Sequence, residues 1–194
     1  MDFAWTEEQQ EIFEVVKDFC DEELAPMACE VDSRGEYPWD QVDKLREMNL
    51  FGIPVSEEYD GMGLGFMEWA VIGELLSQAC TTTGAVYGAH MLAEYPIMHF
   101  GNEEQKEKYL KPLATGESIG AFGLTEPSAG SDAGSVKTTA IKDGDEYVLN
   151  GTKIFITNGG DAEVYVIIAN TAPEKGVRGI TAFILEKGME GFEF

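Results

Sequence analysis

The chain changes once from helical to β-strand periodicity, and this change constrains its fold more than any other feature. Up to about residue 113, apolar residues recur at the three- and four-residue spacing of amphipathic helices. From residue 119 onward, apolar and β-branched residues alternate or form short runs, which is typical of strands. The sequence therefore predicts an α+β fold in which an all-helical N-terminal domain, residues 1–116, precedes a β-domain, residues 117–194.

The N-terminal part predicts a series of helices with short breaks between them. Thr6 and Gln9 have capping-box spacing and begin a helix that continues until Pro26 interferes. Gly35 ends a second, shorter helix, and Pro38 opens a third. A buried extended segment is predicted at residues 51–55, and further helices at residues 66–80, 83–100 and 102–113.

The C-terminal part predicts a sheet of short strands. The turn signals Asp143-Gly144 and Asn150-Gly151 favour hairpins, so the strands are expected to pair as an antiparallel meander in a barrel or sandwich. Because the last strand ends shortly before Phe194, this β-domain is expected to be incomplete. The strands are predicted at residues 119–124, 135–142, 147–149, 152–157, 164–169 and 179–185.

Residues 123–134 are the first candidate binding segment. Pro127 lacks a backbone N–H and therefore ends the preceding strand. Glycines flank Ser131 and Asp132, which lets amides and a small hydroxyl approach a bulky anion without a Cβ clash. An ordinary Gly/Ser/Pro turn is the favoured alternative for such a segment taken alone. The pattern predicts either a cofactor or phosphate loop or a simple turn.

A second hydroxyl-rich turn shifts the balance toward binding. Residues 155–160 end another predicted strand with Thr157 and two glycines, so two strand ends can present Thr125 and Thr157 to one ligand. The glycine-rich loop at residues 57–65 is different, because Phe66 stands where a dinucleotide fingerprint needs its third glycine. That loop is interpreted as a connection between helices.

Charge and composition exclude several functional classes. With 36 acidic against 13 basic residues, the formal net charge is -23, which makes nucleic acid an unsuitable partner. The N-terminus lacks the pattern of a signal peptide and no apolar run reaches membrane-spanning length, so a cytoplasmic protein without a membrane partner is expected. The three cysteines and two histidines have no metal-ligand spacing, and buried reduced thiols are expected rather than a metal site.

The paired turns resemble the flavin-binding core of the acyl-CoA dehydrogenases, closest to the short-chain, butyryl-CoA type. The resemblance rests on Phe122-Gly-Leu-Thr-Glu-Pro-Ser-Ala-Gly-Ser-Asp132 and Asn150-Gly-Thr-Lys-Ile-Phe-Ile-Thr-Asn-Gly-Gly160, and it extends along essentially the whole chain. It implies an FAD-dependent oxidoreductase of fatty acid metabolism that converts an acyl-CoA to its trans-2-enoyl-CoA. Hydride would pass to N5 of FAD, and electrons then to an electron-transferring flavoprotein.

The resemblance also implies roles for residues of the first motif. Phe122, Leu124 and Thr125, with Gly123 among them, match the family positions that line one side of the isoalloxazine ring and donate to its pyrimidine end. Ser131 matches a position at the flavin pyrophosphate or at the CoA arm of the substrate. Each of these residues is therefore an expected cofactor-binding residue, and Ser131 is also an expected substrate-binding residue.

The second motif matches the family segment on the other side of the flavin. The resemblance implies that Phe155 packs on the ring, that Ile156 lies beside it, and that Thr157 donates a hydrogen bond near N5 and O4. Glu126 lies inside the first motif, but its favoured role is that of an acceptor that pins loop amides, not that of a catalytic base.

No catalytic residue is expected within these 194 residues. In the resembled family, a C-terminal helical domain supplies the catalytic glutamate, contacts to the adenine half of FAD and the core of a homo-oligomer. Two alternatives stay open: a catalytically inert flavin or acyl-CoA binding or assembly fragment, and an acyl-CoA oxidase that passes electrons to oxygen. Small residues in the helix at 83–100, such as Gly84 and Gly88, fit either an acyl-pocket wall or tight helix packing, and the resemblance favours the pocket.

Overall fold

A computed structural model describes residues 4–194 of the chain and divides into two compact units. The first, termed the helical unit, extends to Ser118, and the second, termed the β unit, comprises Ile119–Phe194. Helices occupy the first unit and strands the second. The predicted α+β class, with a helical region before a sheet, is confirmed.

The helical unit begins with the predicted capping box. The Thr6 hydroxyl accepts a hydrogen bond from the Gln9 amide at 3.1 Å, and the Gln9 side chain accepts one from the Thr6 amide at 2.9 Å. Helix α1, Glu7–Phe19, continues into a π-helical turn, Cys20–Leu24, and a 3₁₀ turn at Pro26. The other helices are α2 (Ala28–Arg34), α3 (Trp39–Glu47), α4 (Phe66–Ala79), α5 (Thr81–Phe100), α6 (Glu103–Gln105) and α7 (Lys111–Ala114), with a π-helical turn at Lys106–Leu110 before α7.

The segment predicted as extended at residues 51–55 is buried, but it is not extended. Leu50–Gly52 form a 3₁₀ turn, and the Val55 amide donates to the Gly52 carbonyl at 3.2 Å. Amides of residues 62–64 also donate to carbonyls of this segment, at 2.7–2.9 Å, so its buried backbone groups are paired without an extended conformation. The correction leaves the segment in the core, where Phe51 packs against Tyr87 and His90 of α5.

Helices α4 and α5 pack closely where α5 carries a glycine. A Cβ atom added to Gly84 would lie 2.8 Å from the Ser77 Cα, so α5 can approach α4 only because Gly84 has no side chain. Further along α5, Tyr87, His90 and Glu94 are all buried. Burial raises the pKa of the Glu94 carboxyl, although His90 on the preceding turn of the helix acts in the opposite direction.

The β unit is a five-stranded mixed sheet. The central strand, β4, pairs parallel with β1 and, at Asn170, with β2, and it pairs antiparallel with β5 along its whole length. Strands β2 and β3 form an antiparallel hairpin. The strands are β1 (Gly120–Gly123), β2 (Thr139–Asp143), β3 (Glu146–Asn150), β4 (Val164–Asn170) and β5 (Ile180–Glu186).

The predicted antiparallel meander is corrected in two respects. The hairpin at Asp143-Gly144 forms, but β1 and β4 are distant in sequence and pair in parallel. The predicted strand at residues 152–157 does not form, because Phe155 and Asn158 have φ angles of 57° and 65°, which belong to the left-handed region and cannot continue a strand. Asn150-Gly151 therefore ends β3 without opening a hairpin.

Candidate functional site

The two polar motifs lie side by side in the β unit. The Ile154 amide donates a hydrogen bond to the Thr125 carbonyl at 2.9 Å, and the Lys153 Nζ atom donates to the Leu124 carbonyl at 3.0 Å. These two contacts join the chain that follows β1 to the segment that follows β3. The structure thus brings together the residues around Thr125 and Thr157 that the sequence predicted to face one ligand.

A tight turn ends the first motif's strand at the predicted position. The Glu126 and Ala129 backbones exchange hydrogen bonds of 3.0 and 3.1 Å, and Pro127 and Ser128 stand exposed at the tip of the turn. Beyond this turn, Asp132 accepts a hydrogen bond from the Ser135 hydroxyl, and its carbonyl accepts from the Ser135 amide at 3.1 Å. Asp132 therefore stabilises the loop.

The Glu126 carboxylate is the most heavily engaged group of the motif. It accepts hydrogen bonds from the Lys137 amide at 2.6 Å, from the Thr138 amide at 2.9 Å, from the Thr138 hydroxyl at 2.6 Å and from Lys153 Nζ at 2.7 Å. Burial raises the pKa of this carboxyl, but these hydrogen bonds outweigh it and lower the pKa to about 2. The predicted acceptor role is confirmed, but the amides are those of Lys137 and Thr138, just before β2, and not those of the loop at residues 123–134.

This lowered pKa predicts that the β unit loses stability in acid. Because the folded-state pKa of about 2 lies below the ordinary value of 4.5, the stabilisation is complete above pH 4.5 and is lost as the pH falls toward 2. The loss amounts to about 3 kcal/mol for this one group. Unfolding free energies of the β unit at pH 6, 4 and 2 check the prediction, with Glu126→Gln as the matched control. Equal acid dependence in the two proteins would contradict the prediction.

The second motif presents an aromatic ring on strained backbone. Phe155 adopts a φ of 57°, and 89% of its surface is exposed. A bulky residue in the left-handed region is an uncommon and costly conformation, which is found preferentially at binding sites. The turn is held in place by the buried Asn158 side chain, which donates to the Gly120 carbonyl at 2.9 Å. The fold thus positions an apolar ring at the surface next to β1.

The hydroxyl groups of the two motifs are available to a ligand. Within residues 4–194, the side chains of Thr125, Ser131 and Thr157 have no hydrogen-bond partner. Thr125 is half-buried, whereas Ser131 and Thr157 are exposed. Among the same residues, no hydrogen bond joins Ser131 to the second motif, so the structure places it on the loop without linking it to Thr157.

The donor set fits a planar heteroaromatic ring with polar edges. An exposed phenyl ring, partly buried apolar side chains at Phe122, Leu124 and Ile156, and free hydroxyls at Thr125 and Thr157 match the apolar faces and polar rim of a flavin. Gly123 is buried in β1, where an added Cβ would meet the side chain of Ile167. The described residues contain no group of three acidic, cysteine or histidine residues that could hold a metal ion.

Lys153 is the residue of this site that the sequence reasoning missed. It lies inside the second motif, and its side chain is only 9% exposed, yet the sequence analysis gave it no role. The available signal was the opposite charge of Glu126 in the first motif. A lysine in one motif and a glutamate in the other can form an ion pair when the motifs meet.

The helical unit has a separate groove between α4 and α5. Its volume is about 360 Å³, and the Trp69 Nε1 and Tyr87 Oη atoms beside it are buried without a partner in residues 4–194. An added Cβ at Gly88 would meet no atom within 4 Å, in contrast to Gly84. Tight packing therefore accounts for Gly84, whereas Gly88 borders open space. The lining residues are Trp69, Ala70, Gly73, Glu74, Ser77, Gly84, Tyr87 and Gly88.

None of the helices in residues 4–194 combines the length and the apolar character that crossing a lipid bilayer requires.

Comparison with known proteins gives a consistent match over both units. Residues 6–117 match the acyl-CoA dehydrogenase N-terminal domain, and residues 121–194 match the acyl-CoA dehydrogenase middle domain. The chain is 48% identical over 193 residues to the short-chain specific acyl-CoA dehydrogenase of Clostridium acetobutylicum, covering 99% of this chain and 51% of that protein. The chain thus spans about half the length of this relative.

Solved structures agree with the sequence matches. The butyryl-CoA dehydrogenase of Megasphaera elsdenii superposes with a TM-score of 0.93 at 42% identity, over 100% of this chain and 52% of that one. The FAD complex of PigA superposes with a TM-score of 0.91 at 36% identity, over 98% of this chain and 51% of that one. In both comparisons the match again covers about half of the other chain.

Proposed function

The chain belongs to the acyl-CoA dehydrogenase family, and from this premise we propose that it forms the helical and flavin-binding parts of an FAD-dependent short-chain acyl-CoA dehydrogenase. The reaction is the oxidation of an acyl-CoA to its trans-2-enoyl-CoA, with an electron-transferring flavoprotein as the electron acceptor. The observation that supports the proposal is the convergence of the two motifs: the hydrogen bonds from Lys153 and Ile154 to the Leu124 and Thr125 carbonyls join the segment of Thr125 to the segment that carries Thr157 and the exposed Phe155 ring.

FAD, when bound, supplies the acceptor for the hydride of the substrate. Phe155 would pack on the isoalloxazine ring of FAD. Phe122, Leu124 and Ile156 would add apolar contacts to the same ring. The Thr125 and Thr157 hydroxyls donate to its polar edges, while Ser131 binds the pyrophosphate or the CoA arm of the substrate. Because a neutral hydrogen bond contributes about 1 kcal/mol and an aromatic contact about 0.5–1.5 kcal/mol, no single residue holds the cofactor.

The acyl chain is proposed to use the groove in the helical unit. Gly88 borders open space there, and Trp69 and Tyr87 are among the residues that line the groove. The short-chain specificity of the Clostridium acetobutylicum relative and the butyryl-CoA activity named for the Megasphaera elsdenii relative support a short acyl substrate.

The catalytic base is proposed to lie in the part of the relatives that this chain does not cover. Glu126 is not available as a base, because its carboxylate accepts four hydrogen bonds and its pKa is lowered to about 2. A base that removes the α-proton needs a carboxylate whose lone pairs face the substrate. The remaining contacts to FAD and the oligomer interface are proposed to come from the same part.

A chimera tests the proposed function directly. These 194 residues would replace the corresponding half of the Clostridium acetobutylicum relative, and the product would be assayed with FAD, butyryl-CoA and an electron-transferring flavoprotein. Acceptor-dependent formation of enoyl-CoA is expected. Rapid peroxide formation would instead indicate an acyl-CoA oxidase, and a folded chimera that binds ligands without turnover would indicate an inert binding module.

Thr157→Val is expected to weaken FAD binding about fivefold. The substitution removes one hydroxyl donor, which is worth about 1 kcal/mol, and keeps the branched shape of the side chain. Titration calorimetry of the chain with FAD measures the effect. Ser128→Ala is the matched control, because Ser128 has an exposed hydroxyl at the tip of the neighbouring turn. The FAD affinity of this variant should equal that of the unmodified chain. Equal affinities for the two variants would contradict the role of Thr157.

A further inference from the structure

Lys153 forms a buried bridge between the two motifs. Its Nζ atom donates to the Leu124 carbonyl at 3.0 Å and to Glu126 Oε1 at 2.7 Å. The side chains of Lys153 and Glu126 are 9% and 4% exposed. A buried ammonium group needs both a counter-charge and further acceptors, and this arrangement supplies one of each.

The carbonyl that Lys153 contacts belongs to the peptide group that carries the Thr125 N–H. A cation at the oxygen of a peptide polarises the whole amide and strengthens its N–H as a donor. No group in residues 4–194 accepts a hydrogen bond from the Thr125 N–H. The next peptide is fixed as well, since the Thr125 carbonyl accepts from the Ile154 amide. Thr125 thus presents an unused, polarised donor on a backbone held at both sides.

Glu126 keeps the cation in this place. The carboxylate is itself anchored by the Thr138 hydroxyl and by the amides of Lys137 and Thr138, so it fixes the Nζ atom against the Leu124 carbonyl. These three hydrogen bonds and the one from Lys153 keep the Glu126 carboxylate ionised at neutral pH. The pair therefore holds the Lys153 ammonium group in a fixed position at a peptide that borders the proposed flavin surface.

We propose that Lys153, held by Glu126, is a positioning residue that polarises the Leu124–Thr125 peptide and thereby favours the reduced, electron-rich flavin over the oxidised flavin. The inference rests on the proposed function, because it takes the flavin's pyrimidine edge as the acceptor of the Thr125 N–H. A donor that is preorganised toward developing negative charge stabilises the charged state more than the neutral one. Lys153 acts through Thr125 and does not touch the flavin.

The first test needs no flavin. In the flavin-free chain, NMR measures the Leu124 carbonyl carbon and Thr125 amide nitrogen shifts, which report the polarisation of this peptide. Lys153→Met should move both resonances, whereas Lys153→Arg should restore them and Lys142→Met, at an exposed lysine of β2, should leave them unchanged. Unchanged shifts in a folded Lys153→Met variant would overturn the proposal, whether or not the chain binds FAD.

The second test uses FAD as the probe. Lys153→Met is expected to weaken binding of reduced FAD about tenfold more than binding of oxidised FAD, which lowers the two-electron midpoint potential by about 30 mV. Lys153→Arg should keep most of the wild-type potential, and Lys142→Met should keep all of it. A purely structural role would weaken both redox forms equally and leave the potential unchanged, and that result would overturn the proposal.

A second variant guards against loss of folding. If Lys153→Met alone does not fold, the double variant Glu126→Gln with Lys153→Met removes both charges together and leaves no lone buried ion. The same shifts in NMR and in potential are expected from it. Failure of the unmodified chain to bind FAD would count against the proposed function, while the NMR result would still decide the role of Lys153.

Discussion

Glu126→Ala is expected to destabilise the β unit by about 3–5 kcal/mol, as removal of one partner from a buried ion pair does. The substitution leaves the Lys153 ammonium group buried without its counter-charge. It also removes the acceptor of the Thr138 hydroxyl and of the amides of Lys137 and Thr138. An effect of this size is a large part of the stability of a small domain.

Hydrogen exchange of the buried amides of β4 is the appropriate measurement. All three tryptophans, Trp5, Trp39 and Trp69, lie in the helical unit, so tryptophan fluorescence does not report the β unit directly. The double variant Glu126→Gln with Lys153→Met is the control, and it should be more stable than Glu126→Ala because it contains no unpaired charge. A loss of less than about 1 kcal/mol in Glu126→Ala would contradict the assignment of a structural ion pair.

Gly84→Ala is expected to destabilise the helical unit by about 1–3 kcal/mol, the usual cost of overpacking. The added methyl group would lie 2.8 Å from the Ser77 Cα, so α4 and α5 would have to move apart. Gly88→Ala is a matched control on the same helix, since its added methyl meets no atom within 4 Å. Alanine is also the better helix former, so this control should gain up to about 1 kcal/mol.

Urea unfolding followed by tryptophan fluorescence measures both variants, because Trp69 lies on α4 beside the groove. The free energy of unfolding is expected to fall in Gly84→Ala and to rise in Gly88→Ala. Equal changes in the free energy of unfolding for the two substitutions would contradict the close approach of α4 and α5 at Gly84.

Features of the fold that depend on neighbouring residues could be predicted from the sequence. The Thr6–Gln9 capping box and the Asp143-Gly144 hairpin each follow from a few adjacent side chains, and both form. The parallel pairing of β1 with β4 could not be predicted in this way, because it joins strands that are far apart in the chain. Local turn signals contain no information about such a partner.

In the candidate site, too, features set by adjacent residues could be predicted, whereas features that depend on distant residues could not. The sequence predicted that Thr125 and Thr157 face one ligand from two strand ends, and the Ile154 to Thr125 hydrogen bond brings the two segments together although the second strand does not form. It assigned Phe155 to a strand, because phenylalanine favours strands and nothing in the sequence announces a left-handed residue there. Lys153 was missed since its significance depends on Glu126, which only the folded chain brings within 2.7 Å.

The central claim is that the two motifs of the β unit form the flavin-binding surface. Titration of the isotope-labelled chain with FAD, followed by amide NMR, tests it most directly. The largest changes in amide chemical shift are expected at residues 122–125 and 155–157, with a further change at Ser131. A folded chain in which these amides stay unperturbed at saturating FAD, or in which the changes map to other residues, would contradict it.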